Sequence, residues 1–266
     1  MFKKIYIEII NYCNLNCAFC VKTTKPKKML SFTEFEHILD EIRPFTNYIY
    51  LHVQGEPFMH PDIDKFIMIA YNKGFKVNLT TNATLLHNHI DIMKYARQIN
   101  ISLQALVNLD NKDKYYNDLF DLIDRNYNTY ISLRLWGNFS KNDVLIPFEK
   151  HYQKTIDLKT SNKLKDRVFF SSEEEFDWPS MSLQTTYIKG TCLATKTHVG
   201  ILSDGTVIPC CLDKDGIISF GNIFNTPFKD IISSQRFINM KKGFSNNILC
   251  EELCRKCTYR QRFSKK

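Results

Sequence analysis

The segment CNLNCAFC sets Cys13, Cys17 and Cys20 within residues 13–20. The other six of the nine cysteines are Cys192, Cys210, Cys211, Cys250, Cys254 and Cys257, with none in between. Scattered core cysteines would not group in this way. Disulfides are not expected of a chain that reads as cytoplasmic, so thiolate ligation of metal is the chemistry both groups suit. A 4Fe–4S cluster has four irons and usually four cysteine ligands. Three thiolates leave one iron without a protein ligand, and an open position on a metal is where chemistry takes place. The C-x3-C-x2-C spacing lets three sulfurs on one loop converge on three corners and would leave the fourth corner facing the mouth of the scaffold.

Such a loop needs a scaffold. The chain has 266 residues, of which 44% are hydrophobic. That is enough for one large domain with a smaller appendage, and it argues against global disorder. KIYIEII (4–10) reads as a strand leading into the first cysteines. Ser31 and Glu34 form a capping-box pattern ahead of a helix in SFTEFEHILDEI. Further strands are expected at YIYLHVQ (48–54), FKVNLTT (75–81), INISLQAL (99–106), TYISLRLW (129–136) and RVFFS (167–171). Helical stretches fall between them: 61–74 from Pro61 to Gly74, then near 85–97, 111–126 and 145–158. Strand–helix alternation predicts parallel βα units. Six strands are too few for an eight-stranded barrel, so the expected fold is α/β, a partial (β/α)6 TIM-like barrel. Polar clusters follow the strands, where parallel architectures gather their chemistry: the cysteines, QGEP (54–57) and TTN (80–82). After a linker at 176–190 the pattern changes. THVGILSDGTVIPCC reads as a hairpin turning at Asp204-Gly205, with short helices near 227–242 and 254–262. The expected division is a barrel over 1–175, the linker, and a small α+β domain over 191–266.

The N-terminus is too short and broken for a secretory leader and no run approaches a membrane span, so a cytoplasmic protein with no membrane partner is expected. The formal charge is +8, with basic residues in KTTKPKK (22–28) and the tail RQRFSKK. KTTKPKK is read as a solvated loop, with substrate phosphate as the alternative.

Cys13-x3-Cys17-x2-Cys20, with Phe19 before the last cysteine, resembles the signature of radical S-adenosylmethionine (SAM) enzymes. Gln54-Gly55-Glu56-Pro57 resembles the GGEP motif of that family, with Gln54 in place of its first glycine. The resemblance implies a 4Fe–4S cluster on Cys13, Cys17 and Cys20 whose open iron binds SAM. Reductive cleavage of SAM then yields a 5′-deoxyadenosyl radical that abstracts hydrogen from substrate. It also implies SAM contacts from Phe19, from Gln54 to Pro57 (with Glu56 accepting from the SAM ammonium), and from Thr81 and Asn82. Ser102 and Arg134 correspond to the residues that hold the SAM carboxylate in sulfatase-maturating relatives. An electron donor such as flavodoxin or ferredoxin is implied as a partner.

Cys192, Gly205, Cys210 and the Cys254-x2-Cys257 pair resemble the twitch extension, a shortened SPASM domain. The resemblance implies one auxiliary 4Fe–4S cluster on Cys192, Cys210, Cys254 and Cys257, hence two clusters per chain. CEELCRKC (250–257) repeats the spacing of the first group. The copy that follows a strand and precedes the βα series is taken as the radical-generating site. Cys250 stands as an alternative ligand to Cys254. Cys211 and Asp213 are candidate catalytic residues, against readings as a buried thiol and a turn residue. Asp177 and Trp178 are candidates to line a substrate pocket, while His52 and His60 read as structural. The expected activity is radical oxidation or modification of a small metabolite or a peptide. A radical SAM enzyme acting on RNA, for which the net charge speaks, and a non-catalytic iron–sulfur electron carrier are the alternatives.

Overall fold

The computed structural model describes residues 1–125, 128–137 and 141–263. Its strands are β1 (Lys4–Ile7), β2 (Tyr48–Tyr50), β3 (Lys76–Thr81), β4 (Ala96–Ser102), β5 (Tyr130–Trp136), β6 (Asn162–Lys165), β7 (Val168–Glu173), β8 (His198–Ile201) and β9 (Val207–Ile208). They form one sheet in the order β6-β7-β5-β4-β3-β2-β1-β8-β9. From β7 to β1 every neighbouring pair is parallel, the partial barrel expected from the strand–helix alternation. The helices are α1 (Phe32–Ile42), α2 (Ile63–Asn72), α3 (Lys112–Asp124) and α4 (Lys141–Tyr152), followed by the C-terminal α5 (Phe228–Ile231), α6 (Gln235–Ser245) and α7 (Glu252–Arg255). Ser31 and Glu34 cap α1 reciprocally, as the sequence predicts.

Four elements depart from the sequence reading. Strand β4 stops at Ser102, and LQALVN continues as a 3-10 helix. The stretch after β3 is a 3-10 run, Leu86–Tyr95, broken at His89. Strand β6 was not expected; it pairs antiparallel with β7 and covers the edge that β7 would otherwise expose. The C-terminal hairpin does not stand apart. Its first strand, β8, pairs in parallel with β1 and extends the barrel sheet.

Sheets made only of parallel strands are usually apolar on both faces. Here the strands alternate. Ile5, Ile7, Ile49, Val77, Leu79, Ile99, Ile101, Ile131, Leu133 and Phe170 are buried within the main apolar core. The intervening positions are Lys4, Tyr6, Tyr50, Asn78, Asn100, Ser132 and Arg134. The concave face is therefore polar, and it lines the space in which the site is built.

Candidate functional site

Residues 13–20 form a loop between β1 and α1, with a turn in which the Cys20 amide donates to the Cys17 carbonyl at 3.1 Å. Cys13 and Cys17 are half-buried and Cys20 is exposed. Neighbouring side chains hold the sulfurs. Asn82 Nδ2 lies 3.6 Å from Cys13 Sγ, Asn108 Nδ2 lies 3.3 Å from Cys17 Sγ, and Cys20 Sγ lies 3.9 Å from Gln54 Oε1. Burial pushes all three thiols up. Cys17 reaches about 11, with Cys20 and Cys13 adding to the effect, so the three sulfurs feel one another's charge.

The QGEP segment locks this loop to the barrel. Gly55 sits at φ +76°, and a Cβ there would run into the Ile10 and Tyr12 carbonyl groups. The close approach it permits is therefore to the backbone leading into Cys13. The next amide, Glu56, donates to the Tyr12 carbonyl at 3.1 Å. Glu56 itself is 2% exposed. Its Oε1 accepts from Thr81 Oγ1 at 2.6 Å and from the Phe58 amide at 3.1 Å, and its Oε2 accepts from the Asn82 amide at 2.7 Å. Burial raises its pKa to about 7 against these donors. Acceptor capacity remains on Oε2. Pro57 opens the short 3-10 turn that Glu56 caps. Asn82 also donates to Asn14 Oδ1 at 2.9 Å, and its carbonyl accepts from Tyr115. His60 is structural: it is buried with Nε2 against the Leu30 carbonyl.

Phe19 stacks on Trp136 with ring centres 6.0 Å apart, and its carbonyl accepts from Trp178 Nε1 at 2.9 Å. Phe19, Glu173 to Trp178 and Arg262 line an open cleft of about 1270 Å³ at the barrel mouth. Asp177 and Trp178 thus stand on a pocket wall. Ser102 pairs in register with Arg134 on the neighbouring strand. Arg134 points into the barrel, where its Nε donates to Ser132 Oγ at 3.2 Å.

The second cysteine group assembles from the hairpin and the chain end. Cys192, Cys210, Cys254 and Cys257 lie close enough that each neighbour's charge acts on Cys210, on top of a large effect of burial. Cys250 lies outside this set. It is exposed, with Sγ 3.6 Å from the Asn239 carbonyl, so the structure separates it from the four. Cys211 adjoins the set, acting on Cys210 more strongly than the other three, and it also meets Tyr6 and Lys4. Together with Arg134, His52 and the four grouped cysteines it lines a cavity of about 510 Å³. Asp213 is 2% exposed, and its two oxygens accept the Ile217 and Ile218 amides at 2.9 and 2.8 Å. That makes it the brace of the turn after Cys211.

No set of three or more His, Cys, Asp or Glu among the described residues closes on a single ion. A lone tetrahedral zinc takes its thiolates at about 2.3 Å, whereas a cluster takes one thiolate per iron and tolerates a wider spread. All-thiol donor sets of three and four, mutually coupled in charge, fit iron–sulfur clusters.

Sequence reading missed Asn108, Lys4, Tyr6, Glu8 and Arg260. Glu8, 1% exposed, accepts the Gln54 amide at 3.2 Å and both the amide and hydroxyl of Ser203 at 3.1 and 3.0 Å. The signal for Lys4 and Tyr6 was present: both occupy the polar phase of an alternating strand. Two of the four lysines in the basic segment 22–28 are paired within the protein. Lys25 pairs with Asp204 at 2.5 Å, Lys28 with Glu34 at 2.9 Å, and Thr23 bonds Asp215 at 2.8 Å. In the basic tail, residues 264–266 lie outside the described residues.

Comparison with known proteins gives two family matches. The radical SAM superfamily matches residues 7–135, and SPASM, an iron–sulfur cluster-binding domain, matches residues 192–258. The tungsten-containing aldehyde ferredoxin oxidoreductase cofactor-modifying protein of Pyrococcus furiosus is 30% identical over 105 residues, 38% of this chain and 29% of that protein. The chain spans less than a third of the length of the first curated relatives it matches. Among solved structures, BtrN in complex with AdoMet and 2-DOIA superposes with a TM-score of 0.64 at 15% identity, covering 93% of this chain and 88% of that one. Streptococcus suis SuiB bound to the precursor peptide SuiA gives 0.64 at 17%, covering 100% of this chain and 74% of that one. These two likenesses show a shared fold.

Proposed function

Because the chain belongs to the radical SAM superfamily and carries a SPASM-type iron–sulfur domain, we propose that it oxidises or modifies an organic substrate between two clusters. When bound, a cluster on Cys13, Cys17 and Cys20 supplies the electron that splits SAM into methionine and a 5′-deoxyadenosyl radical, which abstracts hydrogen from substrate. Asn82 and Asn108 donate to the Cys13 and Cys17 thiolates. Glu56 offers its remaining acceptor capacity to the SAM ammonium, and Ser102 and Arg134 receive the SAM carboxylate. Phe19 and Trp136 form an aromatic wall that excludes water beside them. Cys192, Cys210, Cys254 and Cys257 would hold the auxiliary cluster, which would supply an electron acceptor beside the substrate. Cys211 lines the cavity beside the second group, where burial raises its thiol and keeps it neutral, able to donate a hydrogen bond to substrate rather than to pair with Lys4. Asp213 keeps that turn in shape.

The observation that carries this reading is the separation of the cysteines. The first loop offers three thiols, and the second group gathers Cys192, Cys254 and Cys257 around Cys210 with Cys211 adjoining; the ligand role of four of them is part of what we propose. Membership of an enzyme superfamily sets aside the reading as a plain electron carrier. Anaerobic iron and sulfide counting tests the cluster number; about eight irons per chain are expected, and about four in the Cys13→Ala/Cys17→Ala/Cys20→Ala variant. The reduced native protein should release 5′-deoxyadenosine from SAM and the triple variant none. Release by the variant would overturn the assignment.

A further inference from the structure

The 510 Å³ cavity beside the second cysteine group gathers four cationic side chains against one carboxylate. Its walls bring Lys3, Lys4, Arg134 and Arg260 together with one acidic residue, Asp213, whose oxygens are taken by backbone amides. Lys3 is exposed and solvated. Arg260 lies beside Cys192 and Cys257, so the thiolates of the second group face it. Arg134 is assigned above to SAM. Lys4 is left. It is half-buried, and the charged neighbours that act on it are Cys211 and Arg134, neither of them a carboxylate. Its ammonium lies 4.9 Å from the ring centres of both Tyr6 and Tyr50. The nearby imidazoles of His52 and His198 supply no negative charge; burial holds them neutral, with pKa values of about 3 and 4.

A cation withdrawn from water is costly unless it is paired. SAM brings a single carboxylate along with a sulfonium, so once Arg134 has taken that carboxylate SAM leaves Lys4 unmatched. A second unmet group borders the same space: His52 Nδ1 is buried and has no hydrogen-bond partner. The volume lies within the range of small-molecule sites, about 300–1,000 Å³. Trp136, Phe176, Ile218 and Leu253 add apolar wall.

We propose that this cavity takes a small-molecule substrate through an oxyanion, either a carboxylate or a phosphate, received by Lys4 between the Tyr6 and Tyr50 rings. The body of the substrate then extends toward Cys211. This rests on the cavity being the substrate site of the function proposed above, but its test needs neither SAM nor reductant, so the two stand or fall separately. Equilibrium dialysis of the full-length, cluster-loaded protein with labelled inorganic phosphate in one arm and labelled acetate in the other is the measurement. The expected result is saturable binding of one anion per chain in at least one arm, and the stronger arm names the oxyanion. Lys4→Met should weaken that binding at least tenfold while keeping the native iron content, and Lys4→Arg should restore most of it. Absence of saturable binding in both arms, or unchanged binding in Lys4→Met, overturns the proposal. Should Lys4→Met lose its iron, Lys4→Gln at the same position replaces it with the same two outcomes.

Discussion

Asn82 illustrates how much of the first cysteine loop depends on side chains that ligate nothing. Its amide nitrogen reaches Cys13 Sγ and Asn14, and its oxygen accepts from the Thr84 amide and hydroxyl at 2.9 and 2.7 Å. Asn82→Ala leaves those groups without their partner. Lost buried hydrogen bonds of this kind cost about 1–3 kcal/mol. The expected outcome is a lower urea midpoint and slower iron uptake at the first site, followed by absorbance during anaerobic reconstitution. Arg260 plays an electrostatic part at the other site. It is 5% exposed, its Nε lacks a partner, and it stands beside Cys192 and Cys257. A positive charge there would favour the more negative, reduced state of a cluster held by those thiolates. Arg260→Met should lower that cluster's potential, and each tenfold change in the reduction equilibrium is about 59 mV for one electron. An EPR-monitored redox titration measures it; an unchanged potential with full iron content would count against that role.

At the scale of elements, the junction between β1, the QGEP turn and the β8 hairpin governs whether the loop is presented at all. Gly55→Ala places a Cβ against two carbonyl groups at a left-handed φ. Strained backbone of this kind costs about 1–3 kcal/mol, so the first site should lose iron while the auxiliary site keeps it, read by counting irons. Glu8 ties the same three pieces together, and burial raises its pKa to about 7. The folded chain therefore holds a proton that the unfolded chain releases near 4.5. The stability from that proton is fully present below about 4.5, declines as pH rises, and is gone above about 7, a span of roughly 3 kcal/mol. Glu8→Gln should flatten the fall in urea midpoint between pH 6 and pH 8. An equally steep fall in the variant would show that other groups carry it.

At the scale of the whole molecule, the C-terminal part completes the barrel sheet. Strand β8 covers the edge of β1, and Phe2 packs between Phe228 and Phe237 with ring centres 6.3 Å from each. Lys25, Thr23 and Thr24 fasten the segment after the first cysteines to Asp204 and Asp215. A chain ending at residue 190 exposes the β1 edge and that apolar surface, which invites edge-to-edge association. It should aggregate when the full chain is monodisperse by size-exclusion chromatography. A soluble, folded fragment would mean that the barrel stands alone.

The spacing of Cys13, Cys17 and Cys20, the QGEP turn and the Cys254-x2-Cys257 pair could be read from the chain directly, because ligand chemistry and tight turns impose local spacing. Strand–helix alternation was legible for the same reason: hydrophobic periodicity is local. The sequence could not say that β8 would pair with β1, since an open sheet edge accepts any strand of suitable pattern and the choice is made by packing. Nor could it separate Cys250 from Cys254, four residues apart, or show that Glu56 and Asp213 spend most of their acceptors on backbone. Those outcomes depend on which groups become neighbours from distant parts of the chain. The same holds for Lys4, an ordinary N-terminal lysine in the sequence, which becomes an unmatched cation only when the second domain folds over it.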